Sequence, residues 1–166
     1  MAASTLKKHL FDSTITLSDG DTPANTLEIP FTVGDLTIDN LSDDGRAHNI
    51  YDSKGRLSER VVRPGELENP SGSFSCQIAD FSDATNETAL DFLMKTGSFA
   101  SNVGTLGTGQ SYTLNILISV AGVSLGDPAE HTALIPHARI KTAFAEGEPN
   151  TLSFSYEGLG GMPTFT

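Results

Sequence analysis

The chain has no tryptophan and one cysteine, Cys76. A lone cysteine excludes an intrachain disulfide and points to a reducing compartment. Without Trp, the usual stacking platform for a sugar ring is missing. Basic residues are also scarce: Lys and Arg total 10 against 21 Asp and Glu, for a formal net charge of −11. A conventional phosphate-gripping DNA binder needs a basic face, so the balance argues against that class. It leaves open a protein that DNA slides past without sticking. No run approaches ~18 consecutive apolar residues, so no membrane-spanning segment is expected. The opening MAASTLKKHLFDS has two lysines but no apolar stretch after them, so no signal peptide is expected either. What remains is globular in composition, 37% hydrophobic and 19% charged. A length of 166 residues favours one domain, 1–166, with its own core.

The most informative stretch runs from Gly72 to Leu93. Phe74, Cys76 and Ile78 alternate with Ser73, Ser75 and Gln77, a half-buried strand. A helix follows. Asp83 or Thr85 can cap it, Glu87 lies in its first turn, and Lys95 and Gly97 mark its end. The Asn86-Glu87-Thr88 sequon reads as helix-start chemistry. Ala89, Leu90, Leu93 and Met94 form an apolar stripe that should lie on the sheet, which gives Leu93 and Met94 core roles.

The rest of the chain is strand and turn. Ile15 and Leu17 mark a first strand, ended by Asp19-Gly20-Asp21-Thr22-Pro23. Leu27, Ile29, Phe31 and Val33 share one face, with Pro30 favouring an edge or bulge. Leu36 and Ile38 begin another strand. Tyr112, Leu114, Ile116, Ile118 and Val120 give the cleanest alternation and a central position. Ala138, Ile140, Thr142 and Phe144 form one more, then Glu146–Asn150 turns into Leu152, Phe154 and Tyr156. Ser98 to Gln110 reads as loop, and the closing GLGGMPTFT as flexible. Between them, Arg46 to Glu66 reads as a projecting hairpin or long loop. Asp52-Ser53-Lys54-Gly55 supplies its turn, with Gly55 able to take φ > 0. Ile50, Tyr51, Leu57, Val61 and Val62 are apolar; Arg46, Arg56, Glu59, Arg60 and Arg63 are charged. Such an arm buries little against its own core, so its apolar residues call for another subunit.

Catalytic constellations do not assemble. Gly122-Val123-Ser124-Leu125-Gly126 matches the nucleophile elbow, but Asp127-Pro128 and polar loop follow it where a helix is needed. His9, His48, His131 and His137 never pair at helical spacing, and His137 reads as a satisfied structural residue. The acidic clusters complete no calcium loop. The Gly104–Gly109 run lacks the dinucleotide order. No catalytic, metal or cofactor residue is assigned.

The order of elements carries a resemblance. Gly34-Asp35-Leu36-Thr37-Ile38, the arm around Tyr51-Asp52-Ser53-Lys54-Gly55, the Ser71–Ser75 strand running into Asp80-Phe81-Ser82-Asp83 and the helix, and the closing Glu148–Gly158 together resemble tail tube proteins of long-tailed bacteriophages. The type VI secretion tube protein is similar. The resemblance spans Gly34 to Gly158. It implies a mainly β fold, an antiparallel sandwich or partial barrel with one flanking α-helix and a long projecting arm. It implies a non-enzymatic virion protein, made in the host bacterial cytoplasm, with no cofactor. Its partners would be itself and other tail proteins. Six copies would form a ring with a continuous β lining, and rings would stack head to tail into a tube. Arm residues Arg46, Tyr51, Asp52, Lys54, Gly55, Arg56, Leu57 and Arg60, with the two termini, would bridge rings. DNA would pass through the lumen without specific binding, repelled where acidic charge faces inward. The alternatives are a tail-completion or baseplate ring protein of the same fold, and a ligand-binding β-sandwich.

Overall fold

The computed structural model describes residues 13–29, 35–41, 45–78, 87–106, 109–121 and 129–166. Its strands are β1 (Ser13–Ser18), β2 (Thr26–Ile29), β3 (Thr37–Asp39), β4 (Gly45–Tyr51), β5 (Leu57–Leu67), β6 (Ser71–Gln77), β7 (Leu114–Val120), β8 (His131–Ala145), β9 (Thr151–Gly158) and β10 (Thr164–Phe165). Eight of them form one antiparallel sheet in the order β2-β1-β7-β8-β9-β6-β3, with β10 pairing β8 off that path. β4 and β5 make a separate two-stranded sheet. The expected mainly β architecture with one short helix and a projecting arm is present, and the main sheet is not closed into a barrel. Phe31, Val33 and the Gly122–Gly126 match lie outside the described residues.

Period-two alternation decides what is buried. Ile15 and Leu17, Leu27 and Ile29, Ile116 and Ile118, Phe74 and Cys76, and Leu152, Phe154 and Tyr156 share one core. Phe74 stacks on Phe154 at 4.7 Å between ring centroids, across a β6–β9 pair in direct register.

β8 changes neighbours halfway along. Its first half pairs with β7 and with β10, Thr164 opposite Leu134. Its second half, from Ala138, pairs with β9 as far as Ala145 opposite Thr151. The register slips between Leu114↔Ala138 and Ile116↔Ile135, so Pro136 and His137 bulge opposite Asn115. His137 takes φ 51°, and its backbone N–H donates to Asn115 Oδ1 at 3.2 Å. The closing segment seals this bulge: Leu159 N–H donates to His137 O and Gly160 N–H to Pro136 O. Two sequence expectations change here. The closing segment is not loose, because β10 adds to the sheet and Thr166 and Thr132 exchange backbone bonds. His137 Nδ1 is buried and has no hydrogen-bond partner among the described residues, so the residue is structural but not satisfied.

The helix also differs from expectation. α1 (Ala89–Met94) is six residues long. Its N-cap is Thr88, in place of Asp83 or Thr85, and Glu87 precedes the cap. Thr88 Oγ1 accepts from Asp91 N–H at 3.1 Å and donates to Asp91 Oδ2 at 2.9 Å. The sequon threonine is thus the helix-start residue. Buried Asp91 also accepts from Thr96 Oγ1 at 2.6 Å, tying both helix ends to one carboxylate. The buried apolar residue is Phe92, edge-on to Phe99 at 4.8 Å, where Gly97–Phe99 forms a 3₁₀ turn. Leu93 packs at the core margin, but Met94 is 68% exposed and has no core role.

A second polar knot fixes the loop before β7. Buried Asp19 accepts from Asn25 N–H at 2.9 Å, Asn25 Nδ2 at 3.1 Å and Val103 N–H at 3.3 Å. Asn25 Nδ2 also reaches Asn102 Oδ1 at 3.1 Å. These bonds pin the β1–β2 turn to the chain leaving the helix.

Candidate assembly surfaces

The arm is built from its turn outward. Asp52 Oδ1 accepts the backbone N–H of Lys54 at 2.8 Å and of Arg56 at 2.9 Å. Asp52 N–H donates to Arg56 O at 2.8 Å, which closes the loop. Gly55 takes φ 74° with open space around it, as a bulged turn requires. Tyr51 stands opposite Leu57, Ile50 opposite Glu59 and Asn49 opposite Arg60, with a bulge between the Ile50 and Tyr51 pairs. The structure therefore brings Tyr51, Asp52, Lys54, Gly55, Arg56, Leu57 and Arg60 onto one hairpin end. Arg46 lies in β4, further from the tip; its side chain is outside the described residues.

β4 and β5 pack on each other and make no extensive contact with any other described element. Ile50, Tyr51, Leu57 and Val62 are 47%, 59%, 58% and 55% exposed, so four large apolar side chains of the hairpin face outward. Isolated two-stranded ribbons are marginal in water, and this one lacks a described platform.

A second surface was not foreseen. Past Ala138, β8 runs beyond the start of β7, and β8, β9 and β6 continue as a slab with β3 on its far side. Side chains form rows across its solvent face. One row is Arg139, Glu157, Ser71 and Asp39; the next is Lys141, Ser155, Ser73 and Thr37; a third is Ala143, Ser153 and Ser75. Arg139 Nη2 bonds Glu157 Oε2 at 2.9 Å. Asn69 Nδ2 donates to Glu157 Oε1 at 2.8 Å, and this bond first, then Arg139, holds the Glu157 carboxyl below its ordinary range. Ser75 Oγ donates to Asp35. The signal in the sequence was Arg139 and Lys141 two apart in a strand, which puts both cations on one face.

On the inner side, an apolar groove of about 220 Å³ lies between Leu36 and Ile38 of the β3 segment, Ile118 and Val120 of β7, and Ala133 and Phe165. Among the described residues no group of three or more His, Cys, Asp or Glu is placed to hold a metal ion. No helix of the described residues is long and apolar enough to cross a membrane.

No family model and no curated protein matches the chain. Solved structures do. A chain of the anti-feeding prophage cap, the AFP tube-terminating cap, aligns with TM-score 0.54 and 12% identity over 100% of this chain and 95% of that one. A chain of the extended-state PVC sheath-tube complex of an extracellular contractile injection system aligns with TM-score 0.54 and 11% identity over 99% of each. A chain of the 6-fold symmetrised AFP baseplate aligns with TM-score 0.50 and 10% identity, over 100% of this chain and 97% of that one. At this identity the likeness is one of fold, and it takes in essentially the whole chain, including the segments that hold the hairpin and the slab.

Proposed function

We propose that this chain is a structural subunit of a phage-tail-like tube, forming hexameric rings that stack into a hollow tube. The observation that carries the reading is the hairpin with outward Ile50, Tyr51, Leu57 and Val62, which makes no extensive contact with any other described element. An apolar ribbon with no platform among the described residues calls for one from a neighbour. The full-length fold likeness to tube, cap and baseplate structures supports the same reading. In it the hairpin tip reaches the next ring, other tail proteins flank the tube, and DNA passes the lumen unbound. The subunit catalyses nothing. It works in the tail of the particle after synthesis in the host bacterial cytoplasm.

Negative-stain imaging of the concentrated protein tests this. Long tubes are the expected result. The likeness to a tube-terminating cap and a baseplate favours a second reading, a ring protein that assembles once and stops. Discrete rings without stacking select that reading. Monodisperse monomers at all concentrations overturn both.

A further inference from the structure

Residues 159–166 lie along β8 as a strap, and its first bonds fall on the bulge. Leu159 N–H donates to His137 O at 3.1 Å and Gly160 N–H to Pro136 O at 3.3 Å. At the far end Thr132 and Thr166 exchange backbone bonds at 2.8 and 3.0 Å, and only the two residues of β10 pair with β8 between. Gly160 lies directly against the imidazole: a Cβ there would come 2.6 Å from His137 Cδ2 and 2.9 Å from Pro136 Cγ. The ring beneath has its Nδ1 buried with no partner among the described residues. A φ of 51° holds the residue in that pose.

We propose that residues 159–166 are an acid-released strap, held on β8 while the His137 ring is neutral and let go when Nδ1 takes a proton. A neutral imidazole carries one N–H, so with that proton on Nε2 the buried Nδ1 is a bare acceptor. In the imidazolium both nitrogens are donors. Protonation therefore places an N–H and a positive charge where no acceptor stands, which burial penalises more than a lost neutral bond. No countercharge comes from the elements packed around the bulge. Asn115 of β7 is a neutral amide, β7 itself carries no ionisable side chain, and residues 159–166 contain no Asp, Glu, Lys, Arg or His. On β9 the one ionisable group besides Tyr156 is Glu157, already bonded to Arg139 and Asn69. On β8 itself the others are His131, Arg139 and Lys141. Lifting the strap wets Nδ1 and gives its proton water to bond. The strapped form excludes the proton and the lifted form accepts it, so acid favours lifting. The lifted form bares the β8 backbone at Ala133 and Leu134 and takes Phe165 out of the groove wall. The strap works within one subunit, whether or not that subunit assembles.

Hydrogen exchange of the full chain, corrected for intrinsic rates, tests this between pH 7.5 and 5.5, the range that spans an ordinary imidazole titration near ~6.5. Protection of the Leu159, Gly160 and Thr166 amides should fall by up to about tenfold per pH unit, the limit for one linked proton. The β6–β9 ladder should keep its protection. His137→Asn leaves no group to titrate and tolerates the positive φ, so its strap should be equally protected at both pH values. His131→Gln should respond as the wild type does. In the wild-type protein, nitrogen NMR of the His137 ring should show Nδ1 bare at pH 7.5 and protonated with the same midpoint as the loss of protection. A ring that merely fills the bulge would take its proton without moving the strap. That result overturns the proposal, as does unchanged wild-type protection, a pH response that survives His137→Asn or vanishes in His131→Gln, or loss that spreads equally over β6 and β9.

Discussion

Gly72 sits where two strands and a ring meet. A Cβ there would lie 2.0 Å from Thr37 O and 2.5 Å from Tyr156 Oη, the two atoms that bond each other at 2.8 Å. Thr37 O is backbone, so the clash cannot be relieved by turning a side chain. Gly72→Ala should cost about 1–3 kcal/mol, read as a lower urea midpoint, with β3 pushed off β6. Cys76, next but one after Phe74 in the same core row, gives a chemical readout. Burial pushes its thiol up to about 11. The unfolded thiol titrates near ~8.5, so the folded state holds the proton more tightly. The resulting stabilisation is complete below that value and is lost as pH rises toward 11. Burial also raises Tyr156, which adds in the same direction. Folded protein should therefore resist alkylation at pH 8 and lose urea resistance between about pH 8.5 and 11, less steeply in Cys76→Ala. Rapid labelling of native protein at pH 8 would show that the thiol is not enclosed.

Helix α1 shows what a short element conceals. Six residues make less than two turns, so the apolar positions cannot define a face. Ala89, Leu90, Leu93 and Met94 look like a stripe in sequence, yet the fully buried side chain is Phe92 and Met94 is exposed. The orientation is set by Asp91, which takes hydroxyls from Thr88 and Thr96. Phe92→Ala should cost about 3–5 kcal/mol and Met94→Ala within about 0.5, by chemical denaturation. Equal costs would mean the helix is turned from the orientation described. The strands were more legible because period two directly reports which face is wet. Ile15/Leu17, Ile116/Ile118 and Phe154/Tyr156 were each placed correctly by that alternation. β8 was only half visible. Its Pro136 argues against a strand, and nothing short of the register shows that Pro136 and His137 are a bulge inside one.

At the scale of the whole molecule, the hairpin and the main sheet are separable. Replacing residues 46–66 by a short Gly-Ser linker should leave the circular dichroism and cooperative unfolding of the main sheet intact while abolishing long tubes. Normal tubes from that variant would remove the arm from the inter-ring contact. The arm was readable from Asp52-Ser53-Lys54-Gly55, because that turn is local chemistry. The slab margins were not, because rows such as Arg139–Glu157–Ser71–Asp39 join residues a hundred positions apart. β8 spans both worlds. Its 15 residues reach about 50 Å when extended, with one end locked between β7 and β10 and the other at the open margin. A pull along the strand axis at that margin is delivered through continuous covalent backbone into the core, where it loads the β7 and β10 ladders in shear. Bonds loaded together in shear yield later than bonds peeled one at a time, so β8 acts as a tie rod: a particle strained along these strands would stretch its contacts before it unravelled its subunits.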